Sequence, residues 1–231
     1  MTGNLTWLAI AALFFVGIHP GISGSPLRGM LVRVIGEVVF RAVFALLSIG
    51  GLAWMILAFE AAPYEPLWVV PQLVWIPVVL MPVSAILVVL GVTSANPTSA
   101  GQGGVLEREE PAKGVTRITR HPFLMGVVLW AAGHVAANGE VASVIFFGGF
   151  LVLGIVGPIS IDAKLRSRRP EAWQRLAQVT SIVPFAAILQ GRNTLEWAEL
   201  GWWRIALGLV LYAALWWGHA EVTGTPVVPG G

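Results

Sequence analysis

The 231-residue chain contains no cysteine, which excludes disulfides, iron–sulfur clusters and thiolate-bound metals. Charge is also scarce. Lys and Arg number 14 and Asp and Glu 12, together 11% of the residues, where a soluble domain carries about 25%. A soluble globule of this size could not cover itself with so little polar surface. Disorder is excluded by the opposite fact: hydrophobic types make up 56% of the chain and mean hydropathy is +0.79. There is no repeat with a period of about 20–50 residues and no low-complexity segment. What is there is one long apolar run after another, the composition of a polytopic membrane protein.

A spanning helix takes roughly 20 apolar residues. Six runs meet or approach that need: 5–22, 38–59, 69–92, 122–137, 141–161 and 200–218. The first has no cationic stretch before it and no clear small-residue cleavage site, so it reads as a retained span rather than a signal peptide. Every cation falls in, or just beside, three alternate loops. Arg28, Arg33 and Arg41 follow the first span, and Arg108, Lys113, Arg117 and Arg120 follow the third. The remaining seven, from Lys164 to Arg204, follow the fifth. The intervening loops, 60–68 and 138–140, hold none. The positive-inside rule places the basic loops in the cytoplasm and both termini outside, in the periplasm of an inner-membrane protein. A wrong span count would scatter these charges over both sides. The cations therefore serve orientation, and no aromatic-interleaved basic face points to nucleic acid.

The expected fold class is all-α: a six-transmembrane-helix bundle forming one domain over 1–220, followed by a short flexible tail over 221–231. Segment 96–120 is polar and Gly-rich and reads as a mobile loop. After the fifth span, Pro170-Glu171 resembles a helix start. Trp173, Leu176, Val179 and Val183 then recur at helical spacing, which predicts an amphipathic interfacial helix before the last span. Trp7, Trp68, Trp202, Trp203, Trp216 and Trp217 sit near span ends as an aromatic belt.

Chemistry has few places to reside. His219 follows the last span and reads as interfacial. His19 lies near the inner end of the first span, His121 at the inner start of the fourth, and His134 toward the outer half of the fourth. Ionisable side chains at such positions mark functional sites or bridge helices. Neutral imidazoles on two facing helices can ligate a haem iron. Zinc fits less well, since no HxxxH or HExxH spacing occurs. Glu37 and Arg41 are four apart and share a helix face. Asp162 ends the fifth span, and no GxSxG nucleophile elbow is present.

Three stretches carry a resemblance over most of the chain: 15–28 (FVGIHPGISGSPLR), 37–50 with Arg41, and above all 121–140 (HPFLMGVVLWAAGHVAANGE). Segment 146–157 also fits. They resemble the NnrU family of membrane proteins. The resemblance implies a link to denitrification and nitric-oxide metabolism, and kinship with the zeta-carotene isomerases, haem-dependent cis–trans isomerases of the membrane. It implies a haem b cofactor with His19 and His134 as axial ligands and His121 as a third shared histidine. Depth pulls the other way, since His134 lies ~20 Å along a straight helix from His121 and two ligands of one iron share a depth. Depth favours His19 with His121, and family likeness favours His19 with His134.

A second, local resemblance runs from Gly114 to Gly126 and contains Arg120-His121-Pro122. It is similar to the RHPxYxG signature of membrane isoprenylcysteine and phospholipid methyltransferases, with Asp162 echoing their downstream acids. It implies S-adenosylmethionine held by Arg120, His121 and Asp162. The sequence departs from that signature: Leu124 stands for the usual Tyr and Ala163 for a second Glu. Three functions thus stand side by side: a haem-binding NnrU-type protein, a methyltransferase-like protein, and a cofactor-free accessory or assembly protein. The expected partners are the lipid bilayer and a lipid-soluble substrate.

Overall fold

The computed structural model of the protein describes residues 4–99, 101–110 and 112–228. It is helical throughout, and among the described residues the only β pairing is an isolated bridge between Pro66 and Glu140. Helix α1 (Leu5–Ile18) starts at Asn4, whose Oδ1 accepts the Trp7 N–H at 2.7 Å. It runs into a π-turn, His19–Ser23, because Pro20 has no N–H to continue the α-helical ladder. The Gly24 N–H closes this turn on the His19 carbonyl at 2.7 Å. Helix α2 (Pro26–Ile35) follows, capped by Ser25. A turn at Gly36 leads into α3 (Glu37–Glu60).

The segment between α3 and α4 (Trp75–Thr93) is clamped rather than loose. The Leu67 and Trp68 N–H groups donate to the Gly139 carbonyl, and the Trp68 Nε1 donates to the Ala136 carbonyl. Then come α5 (Val115–Ile118), α6 (Pro122–Asn138), α7 (Val141–Arg168), α8 (Pro170–Val179), α9 (Ala186–Leu189), α10 (Trp197–Leu200) and α11 (Trp202–Thr223). Five segments are long and apolar enough to cross a membrane: Leu5–Ser23, Glu37–Glu60, Pro71–Thr93, Val141–Arg168 and Trp202–Thr223. Helix α6, the expected fourth span, is shorter at 17 residues.

In space the long helices follow the order α3, α1, α7, α6, α4, α11, each packed mainly on its neighbours in that row. Small residues let them approach, as between membrane helices generally. A Cβ at Gly126 of α6 would lie 2.9 Å from the Ser84 carbonyl oxygen of α4. In its absence the Ser84 hydroxyl donates to the Gly126 carbonyl at 2.8 Å. The main apolar core joins α1, α3, α6 and α7 through Leu8, Phe15, Met55, Ala131, Phe146 and Phe147.

Several expectations change. Segment 96–120, expected as a mobile loop, holds among its described residues a 3-10 turn (Gly103–Glu107) and α5, with Leu106, Val115 and Thr116 fully buried. Its own apolar residues give it something to fold around. Helix α8 forms as expected, but Ala172 and Leu176 of its apolar side close on Leu106 and Ala112. Helix α2 was not expected, because two arginines, a glycine and a proline dilute its hydropathy. The α7 helix also outlasts its apolar run, reaching Arg168 rather than 161, since Asp162 to Arg168 suit a helix outside the hydrocarbon. The tail expected over 221–231 begins inside α11, which ends at Thr223, and 229–231 lie outside the described residues.

Candidate functional site

Two of the expected histidines share one local design. At the end of α1 the His19 Nδ1 lies 2.7 Å from the Phe15 carbonyl oxygen, and in α6 the His134 Nδ1 lies 2.8 Å from that of Trp130. A carbonyl only accepts, so in each neutral ring Nδ1 carries the hydrogen and Nε2 keeps its lone pair. That tautomer, fixed by a backbone carbonyl, is the one a metal-ligating imidazole needs.

Aromatic rings surround both. His19 stands edge-on to Phe15 at 5.0 Å and to Phe44 at 5.5 Å. His134 stacks on Phe147 at 4.8 Å and leans on Trp130 at 5.3 Å. Phe150 of α7 joins the two settings, 5.5 Å from Phe15 and 5.2 Å from Trp130. His19 lies one turn beyond Phe15 toward the basic end, and His134 one turn beyond Trp130 toward the other end. Each turn is ~6 Å along the helix. Along their helices the two histidines thus flank the Phe15–Phe150–Trp130 contact from opposite ends. Gly133 beside His134 admits a helix rather than a planar ligand: a Cβ there would lie 3.2 Å from the Cα of Pro77 in α4.

His121 belongs to a different site. It is 2% exposed, with Nε2 2.8 Å from the Asp162 Oδ1. Arg120 places Nε and Nη2 on Asp162 Oδ2 at 2.9 and 2.7 Å, and its guanidinium lies over the Trp173 ring at 4.9 Å. The backbone locks the set further. The Arg120 N–H donates to the Ser181 carbonyl, Thr98 Oγ1 donates to the Arg120 carbonyl, and Thr119 Oγ1 donates to the Ile182 carbonyl. The residues expected to hold S-adenosylmethionine do come together, but they satisfy one another in a buried staple between α6, α7 and the 180–185 stretch. A cavity of about 550 Å³ at this end is lined by Glu109, Arg117, Arg175, Arg192 and Asn193, among others, and by none of the three.

Nearby, Glu199 of α10 accepts from Arg117 Nε at 2.8 Å and from the Gly114 N–H at 2.7 Å. The Arg117 guanidinium holds the Glu199 carboxyl below its ordinary range. Among the described residues, no group of three His, Asp or Glu side chains is placed to hold a metal ion. A group ligated by one imidazole fits His19 or His134, while His121 has given Nε2 to Asp162. Reading the sequence missed Phe44, Phe147 and Phe150. A signal for the rest was present, since an aromatic residue stands four before the histidine both in Phe15–His19 and in Trp130–His134.

The family model described as NnrU protein matches residues 7–227. The 15-cis-zeta-carotene isomerase of Zea mays, a chloroplastic protein, is 29% identical over 195 residues, covering 81% of this chain and 52% of its own length. The Arabidopsis thaliana protein of the same name is 30% identical over 192 residues, covering 79% of this chain and 50% of its own length. The chain thus spans about half the length of these relatives. No solved structure matches.

Proposed function

The chain belongs to the NnrU family, and from that premise we propose that it is a membrane-embedded isomerase that turns a cis double bond of a long polyene to trans. The observation that carries this reading is the similarity to two 15-cis-zeta-carotene isomerases over about four-fifths of the chain. Isomerisation rearranges bonds within one molecule, so it consumes no co-reactant and leaves no group behind. The chain's own contribution suits such a substrate. Phe15, Phe147, Phe150 and Trp130 form an aromatic layer within the apolar helices, against which a flat conjugated hydrocarbon would pack by ring contact.

Either His19 or His134 would hold a haem b through its Nε2, with the Phe15 or the Trp130 carbonyl fixing the tautomer. Of the two, His19 is the better placed, since it sits where α1 opens into the π-turn, whereas α4 closes the Gly133 side of His134. When bound, haem supplies an iron whose electronics can loosen a double bond lying against it, and the protein supplies orientation and exclusion of water. The basic end, by the positive-inside rule, faces the cytoplasm of an inner membrane. The denitrification link implied by the family would use the same His19 nitrogen.

The test is an absorption spectrum of the detergent-purified protein, oxidised and dithionite-reduced, followed by incubation with 15-cis-zeta-carotene and chromatographic separation of isomers. A Soret band that His19→Ala weakens, with conversion of the cis substrate, supports the proposal. A colourless protein that stays colourless on haem titration and leaves the substrate unchanged refutes it. A Soret shift with nitric oxide but no carotene conversion favours the denitrification reading.

A further inference from the structure

Two short amphipathic helices, α2 and α8, sit at the basic end, each ten residues long. Their apolar sides meet different fates. Helix α8 closes Ala172 and Leu176 on Leu106 and Ala112. Helix α2 buries none of its residues. Leu27, Met30, Val34 and Ile35 recur along one side of α2 and are exposed, Val34 at 82%. Gly29 and Arg33 occupy the opposite side.

A cluster of cations borders this bare side. Arg28 Nη2 and Arg41 Nε converge on one oxygen of Glu37, at 2.6 and 2.7 Å, so a single carboxylate serves two guanidiniums. Lys164 of α7 donates to the Ser23 carbonyl in the π-turn at 2.8 Å, with Arg28 and Arg168 within Coulombic reach of it. Arg33 and Arg168 are exposed. Glu37 is the acid set among these cations, and the cluster remains net positive.

We propose that α2 is an in-plane docking surface for anionic phospholipid, with its apolar side in the acyl layer and Arg28, Arg33, Arg41, Lys164 and Arg168 on the headgroup phosphates. An exposed apolar stripe alone would suit any lipid. The cations beside it select anionic headgroups, as basic amphipathic helices next to spanning segments do. The helix leaves the π-turn directly, so the lipid would bear on the segment that carries His19. The inference does not depend on the isomerase reading.

The natural absence of cysteine makes the test direct. Val34→Cys and, separately, Gly29→Cys give single labelling sites in the full chain. A Cβ at Gly29 meets nothing within 4 Å, so that substitution is tolerated. Spin labels are attached, and the protein is reconstituted in phosphatidylcholine vesicles containing phosphatidylglycerol. The expected result is a Val34 label reached by oxygen and shielded from a water-soluble nickel chelate, with the reverse at Gly29. Equal nickel access at both sites overturns the in-plane placement. The charge selection is read by native mass spectrometry of co-purified lipid. Arg33→Gln combined with Arg168→Gln should lower retained phosphatidylglycerol about five-fold per cation, roughly 25-fold in all, and leave phosphatidylcholine unchanged. Unchanged phosphatidylglycerol in a variant that still elutes as the folded protein overturns it.

Discussion

His121 Nε2 and Arg120 Nη2, from the turn that leads into α6, approach the two oxygens of Asp162 at 2.8 and 2.7 Å, so one carboxylate of α7 answers a buried imidazole and a buried guanidinium together. All three side chains are at most 11% exposed. Removing the acid leaves a buried cation without its counter-charge, which costs about 3–5 kcal/mol. Asp162→Ala should therefore lower the melting temperature of the detergent-solubilised protein sharply. Asp162→Asn combined with Arg120→Met should recover much of the loss, because it removes the charge as well. Equal melting of Asp162→Ala and wild type would contradict the staple.

Glycine positions should divide by what faces them. A Cβ at Gly126 meets Val88 and the Ser84 carbonyl within 2.9 Å, whereas one at Gly148 of α7 meets nothing within 4 Å. Gly126→Ala should cost about 1–3 kcal/mol by forcing α4 and α6 apart. Gly148→Ala should be neutral or stabilise by up to about 1 kcal/mol, since alanine favours the helix. Thermal melts of the two variants decide it, and a larger loss at Gly148 would invalidate this helix packing.

Acid should act through Glu199. Its carboxyl is held below the ordinary value of 4.5 by Arg117 first, and by the Gly114 N–H. A lowered carboxylate contributes stability that is fully present above its unfolded value and is lost as pH falls through the folded one. The protein should therefore hold its stability from neutral pH down to about 4.5 at this site, and lose the contribution of Glu199 below. Glu199→Gln should be less stable at neutral pH and show a flatter acid limb in melts taken across that range. An identical acid limb would show that Glu199 does not contribute.

Leu176 is fully buried against Leu106 and Ala112. Leu176→Ala should cost about 2–5 kcal/mol at this small core. The loss should be local, appearing as faster trypsin cleavage at Arg108 and Lys113 while the spanning helices stay intact. Unchanged cleavage would mean that this segment is held by other contacts.

The apolar runs made five membrane-length helices readable, because hydrocarbon permits little else there, although α7 and α11 continue past their apolar runs to Arg168 and Thr223. What lies at the basic end was less readable. Leu106, Val115 and Ile118 are too sparse to show as a pattern, yet they fold segment 96–120 because α8 and α10 supply partners from far along the chain. The histidines stood out by their cost. The Phe150 contact that they flank did not, since a phenylalanine in an apolar helix looks the same whether it faces lipid or another ring. Arg120, His121 and Asp162 were legible as a group, while their use was not: mutual saturation appears only when the distances are known.

The row of helices α3, α1, α7, α6, α4 and α11 has one further meaning. Most folds gain an interior by pressing two layers of secondary structure together. A row largely one helix deep leaves Leu13, Val43, Val79, Ile159 and Val210 facing outward, well exposed. The second layer is then the membrane itself. Annular lipid takes the place of a missing sheet or bundle, so acyl-chain length and order enter the folding free energy of this protein as directly as a core substitution would.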